Sequence, residues 1–66
     1  MGANELIVSA RLNRARGLLI KTDLSVQDVA SAVGYASYSH FNRIFRKTYR
    51  MSPAEYRSFV AALSGP

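Results

Sequence analysis

Ser39, Asn42 and Arg43 fall within five consecutive residues and carry the donors and acceptors that read base edges in duplex DNA. Arginine suits guanine and asparagine suits adenine, each in a bidentate pair. Tyr38, beside them, suits a phosphate or a thymine methyl group. Further along, Arg46, Lys47 and Arg50 suit phosphates, which set the register of a protein on DNA without specifying sequence. Ser37 and His40, at the start of the same segment, are further phosphate candidates. Residues 37–50 hold four basic side chains and no acid.

Other chemistries have little to stand on. His40 is the sole histidine, and no acid lies close enough in sequence to orient its ring, so no Ser/His catalytic set is expected. One histidine and no cysteine cannot supply the usual zinc ligands. A glycine-rich phosphate loop is absent from the sequence. We therefore expect no enzyme, no catalytic residue, no metal, no cofactor and no small-molecule effector site in this chain.

The candidate residues need a helix with one free face, and the sequence supplies one. Apolar spacing is helical throughout and nowhere alternates for long. A helix is expected over 4–21, with Val8, Leu12, Ala15 and Leu19 on one face. Leu6, Ile7 and Leu18 lie off that stripe, so some of them should be exposed. Arg11 and Arg16 border the apolar arc on opposite sides. A second helix is expected over 25–33, capped by Ser25, with Asp28 in the place of the capping-box acid. Val26, Val29, Ala30 and Val33 form its core stripe, and Gly34 can take the left-handed conformation that closes it. A third is expected over 37–49, capped by Ser37. Phe41, Ile44, Phe45 and Thr48 should form its buried stripe. Ser39, Arg43, Arg46 and Arg50 fall opposite, flanked by His40, Asn42 and Lys47.

A fourth helix over 53–63 opens with Ser52-Pro53-Ala54-Glu55. Ser52 is the cap, Pro53 takes the first position, where its missing donor costs nothing, and Glu55 completes a capping box. Tyr56, Phe59, Val60 and Leu63 give its apolar face, and residues 64–66 should fray. The fold class expected is all-α: a helix-turn-helix with a homeodomain-like three-helix core, preceded by a longer linker-type helix.

Sixty-six residues allow one domain at most. Hydrophobic residues make up 48% of the chain, which argues for a folded unit over a disordered tail. Nine Lys and Arg against four Asp and Glu give a formal charge of +5. Three of the acids stand near expected helix starts, where the helix dipole favours them, and the cations remain free to meet an anion. No segment is long and apolar enough to span a bilayer. The arginines of the first helix are too dispersed for a membrane-surface helix.

At this point the chain resembles the AraC/XylS family of bacterial transcription regulators. The resemblance runs from Arg11-Leu12 through Ala15 and Leu18-Leu19. It continues through Val26-Gln27-Asp28-Val29-Ala30, Val33-Gly34-Tyr35, Ser37, Phe41, Arg43, Phe45 and Arg46-Lys47, to Ser52-Pro53 and Tyr56-Arg57. That stretch covers 47 of the 66 residues. The family's DNA-binding region has two helix-turn-helix units joined by a long helix. The resemblance implies that residues 1–66 form a single, partial DNA-binding domain: the linker helix, the second unit and the closing helix. It also implies promoter DNA as partner, contact with RNA polymerase, and a cytoplasmic, nucleoid-associated location in a bacterium. One departure is Arg50, where the family usually has glycine. A non-glycine residue held left-handed there costs roughly 1–2 kcal/mol.

The leading expectation is a sequence-specific DNA-binding module that reads the major groove with helix 37–49. The alternative is a truncated remnant that docks on RNA polymerase or on a full-length relative, with little DNA binding of its own. With one unit missing, affinity for DNA should be weak, and helix 4–21 should offer a surface for a homodimer.

Overall fold

The computed structural model describes residues 3–64. It contains four helices in chain order: α1 (Ala3–Lys21), α2 (Val26–Ala32), α3 (Tyr38–Tyr49) and α4 (Pro53–Ser64). The all-α expectation holds, and no strand is present among the described residues. Gly65 and Pro66, expected to fray with Ser64, lie outside the described residues, and Ser64 itself is still helical.

Each helix boundary has a local cause. The Ser25 hydroxyl accepts the Asp28 N–H at 3.1 Å and so caps α2. Among the described residues the return bond from Asp28 to the Ser25 N–H is not made, so the expected capping box is half formed there. The aspartate side chain is one methylene shorter than the glutamate of that motif. The box is complete at α4: Glu55 N–H donates to the Ser52 hydroxyl at 3.1 Å, and Ser52 N–H donates to Glu55 Oε1 at 2.8 Å. The Ser37 hydroxyl accepts the His40 N–H at 3.3 Å and opens α3.

α2 ends in a Schellman motif. Gly34 has φ 96°, and the N–H groups of Gly34 and Tyr35 donate to the carbonyls of Ser31 and Ala30. That left-handed glycine turns the chain sharply enough to start α3 four residues later.

The core is one cluster. Leu12, Ala15 and Leu19 of α1 meet Val29, Ala30 and Val33 of α2, with Tyr35 from the turn and Phe41 and Phe45 from α3. Val8, Leu18, Val26, Ile44, Tyr49 and Tyr56 pack around it. The centre of α3 is aromatic. Phe41 and Phe45 lie with ring centroids 5.7 Å apart, and Phe45 meets Tyr49 at 4.7 Å and Tyr56 at 5.7 Å.

Two expectations about packing fail. Thr48 is exposed, and Tyr49 takes the inward position instead. The buried stripe of α3 runs at i, i+4, i+8 through residues 41, 45 and 49, because its partners Tyr56 and Arg16 lie on that side. Phe59 and Leu63 of α4 are 50% and 70% exposed, since only the Tyr56 and Val60 side of α4 meets the rest of the fold. On α1, Leu6 is 74% exposed and Ile7 48%, in keeping with their place off the core stripe.

Candidate nucleic-acid interface

α3 is held by its aromatic stripe and capped at both ends, which leaves its opposite face to solvent. Ser39, His40, Arg43, Arg46, Lys47 and Arg50 are all exposed on or beside that face. At 100° per residue, Arg43 sits at its centre with Ser39 and Arg50, and Arg46 and Lys47 stand on either side. α3 itself contains no acid. Arg46 is the least of the influences that lower the Glu55 carboxyl at the start of α4.

Tyr38 and Asn42 occupy a flank of α3 and not its outermost line. Tyr38 is 36% exposed and lines a polar groove with Gln27, Asp28, Ser31 and Tyr35. Asn42 is half-buried, and its amide oxygen is out of solvent with no hydrogen-bond partner. In this rotamer the amide cannot present both of its ends to one base. The Ser37 hydroxyl accepts the His40 N–H and keeps its own O–H as a donor. The His40 ring stands edge-on to Tyr35, with centroids 5.6 Å apart. The structure thus brings Ser39, Arg43, Arg46, Lys47 and Arg50 onto one surface, with His40 beside it, and sets Tyr38 and Asn42 at the edge.

Arg50 ends α3 in the left-handed region, φ 66° and ψ 17°, with its N–H on the Arg46 carbonyl at 2.8 Å. It is the one non-glycine residue with positive φ among the described residues. The strained conformation keeps a cation where glycine would carry none.

Sequence reasoning assigned no structural role to three arginines. Arg11 lies over the Tyr35 ring, 5.6 Å from its centroid, and Arg16 lies over the Tyr49 ring at 5.0 Å. Arg57 reaches from α4 to the end of α1 and donates to the carbonyls of Leu19 and Thr22. The positions of Arg11 and Arg16 at the borders of the apolar arc were the available signal, because a long basic side chain there can lie along a neighbouring ring.

Among the described residues no group of three or more His, Cys, Asp or Glu side chains converges as a metal site would require. No described helix is long and apolar enough to cross a membrane.

The arrangement matches known proteins over most of its length. A family described as a helix-turn-helix domain matches residues 1–58. The chain is 49% identical to the transcriptional activator NphR of Rhodococcus sp over 51 residues, 77% of this chain and 15% of that protein. The solved structure of a DNA-binding transcriptional dual regulator from Escherichia coli K-12 superposes with a TM-score of 0.89 at 34% identity, over 94% of this chain and 56% of that one. The C-terminal domain of the two-component response regulator yesN from Fusobacterium nucleatum superposes with a TM-score of 0.84 at 28% identity, over 86% and 55%. The chain spans 13% of the length of the xylose operon regulatory protein of Escherichia coli and 22% of that of the regulatory protein PocR of Salmonella typhimurium, so it covers a small part of such relatives.

Proposed function

This chain belongs to the AraC-type helix-turn-helix family, a DNA-binding family of transcription regulators and not of enzymes; on that premise we propose that it reads the major groove of promoter DNA with α3. Ser39 and Arg43 meet base edges at the centre of the contact. Tyr38 and Asn42 add to it from the flank, Asn42 after its amide turns outward. Ser37, His40, Arg46, Lys47 and Arg50 meet phosphates. The observation that carries this reading is the outer face of α3, which is exposed, basic and free of acids from end to end. An α-helix fits the major groove, and cations on that helix displace counterions from the backbone.

The chain acts as part of a larger DNA-binding region in a bacterial cytoplasm, on the nucleoid. Its own recognition helix gives affinity near the non-specific range, roughly micromolar to a hundred micromolar. A second reading draws on a separate observation. Leu6 and Ile7 on α1, with Phe59 and Leu63 on α4, expose apolar side chains that neither helix buries. They support a protein contact: a second copy through α1, a full-length relative, or RNA polymerase.

A titration on a selected site and on random duplex separates base reading from phosphate contact. Arg43→Ala is expected to cost roughly 1–3 kcal/mol on the selected site and much less on random DNA. Equal losses on both would make Arg43 a phosphate contact. Binding that is insensitive to salt would move the balance to the protein-contact reading.

A further inference from the structure

We propose that Arg11 and Arg16 of α1 are positioning residues that set the orientation of α3, through their stacking on Tyr35 and Tyr49. This inference rests on the base-reading role proposed above for α3, and concerns how that helix is aimed.

The two arginines are five positions apart on one helix, and each meets a tyrosine at one end of α3. Arg11 lies 5.6 Å from the Tyr35 centroid, just ahead of the α3 cap. Its guanidinium carbon also stands 3.5 Å from where a side chain at Gly34 would begin, so it covers the turn as a whole. Arg16 lies 5.0 Å from the centroid of Tyr49, the last residue of α3. Its Nη2 donates to Asn13 Oδ1 at 2.6 Å, which fixes the plane of the guanidinium. Its Nε is out of solvent with no hydrogen-bond partner. A merely solvated arginine would keep that N–H in water; here it is pressed onto the ring.

The tyrosines are themselves held. Tyr35 is 6% exposed and touches Phe41 and His40, both on α3. Tyr49 packs on Phe45 and Tyr56. A cation over either ring therefore acts on the recognition helix and not on a loose side chain. Phe41 and Phe45 fix how deeply α3 sits in the core. They lie near its middle, so they define its tilt poorly. Two contacts near the ends of a helix about 18 Å long define its axis. Arg11 is exposed and Arg16 half-buried, and each guanidinium gives one contact to a ring, so a phosphate role for either is the competing outcome of the test.

The test uses Arg11→Met, Arg16→Met and the double variant of this chain, with Arg11→Lys and Arg16→Lys as conservative controls. Methionine keeps the hydrocarbon packing and removes the charge; lysine keeps a cation over the ring. Residual dipolar couplings without DNA report the angle between α1 and α3. Duplexes selected from a random library by the wild-type chain report discrimination. The double variant is expected to fold and to change the α1–α3 angle. Its preference for selected over random duplex should fall about tenfold, with the salt slope unchanged, and the lysine variants should fall between. A wild-type angle with wild-type discrimination in the double variant would overturn the proposal. So would a salt slope reduced by about two at an unchanged angle, which would make both residues phosphate contacts. If the double variant does not fold, the single lysine variants and their angle decide. If the wild-type chain selects no duplex, the base-reading role fails and the angle alone decides this proposal.

Discussion

Arg57 ties the start of α4 to the end of α1: its Nε donates to the Leu19 carbonyl oxygen at 2.9 Å. A second bond runs from its Nη2 to the Thr22 carbonyl at 3.3 Å. The Leu19 carbonyl lies in the last turn of α1 and the Thr22 carbonyl just past its end, where acceptors are left without intrahelical partners and a cation is favoured by the helix dipole. The two residues are 38 positions apart in sequence, so this pair closes the fold between its first and last helices.

Arg57→Ala leaves those part-buried carbonyls without a donor. The loss is expected to be about 1.5–3 kcal/mol, the range for hydrogen bonds to a charged group. Urea unfolding checks it. A variant with an unchanged midpoint would show that water replaces the guanidinium at no cost.

Arg50 holds a left-handed backbone that glycine adopts freely. Arg50→Gly is expected to stabilise the fold by about 1 kcal/mol, after the added entropy of glycine in the unfolded chain is set against the relieved strain. The same variant should reduce the salt slope of DNA binding by about one, because one phosphate partner is gone. Thermal melting and a salt titration on one preparation measure both effects. A stabilised variant that kept the wild-type slope would remove Arg50 from the interface.

Phe45 is wholly buried and meets Phe41, Tyr49 and Tyr56. Phe45→Ala is expected to cost about 3–5 kcal/mol, a large part of the stability of a domain this small. Circular dichroism should show lost helix and a broad melt. A sharp, wild-type transition would contradict the central place given to this ring.

Glu55 has its carboxyl held below its ordinary value of 4.5, first by the Ser52 backbone N–H and then by the Ser52 hydroxyl. A carboxylate with a lowered folded-state value contributes stability above its unfolded value and loses it as pH falls through the folded one. The capping box of α4 should therefore be fully effective at neutral pH and weaken below 4.5. Glu55→Gln keeps an acceptor for the Ser52 N–H and loses the titration. Melting temperatures of the two proteins should converge as pH falls through that region; parallel curves would show that the carboxylate charge contributes nothing.

Helix boundaries were legible in the sequence because their causes are local. Ser25, Ser37 and the Ser52-Pro53-Ala54-Glu55 box each act within one turn, and Gly34 closes α2 through its own backbone freedom. The same holds for the outer face of α3, since periodicity alone puts Ser39, Arg43, Arg46 and Arg50 opposite Phe41 and Phe45. The left-handed turn at Arg50 was signalled only by the family resemblance, which has glycine at that position.

What the tertiary structure decided was which neighbour each face meets. Periodicity places Thr48 and Tyr49 at opposite borders of one apolar arc, and only the position of Tyr56 and Arg16 makes Tyr49 the inward one. Phe59 and Leu63 have the spacing of a core stripe, yet a stripe is buried only if another element lies across from it, and none does here among the described residues. Arg11, Arg16 and Arg57 belong to the same class. An arginine is apolar along its stem and charged at its tip, so its type fits solvent, phosphate, aromatic ring or carbonyl equally well. The partner is supplied by residues distant in the chain, and their approach is a property of the fold.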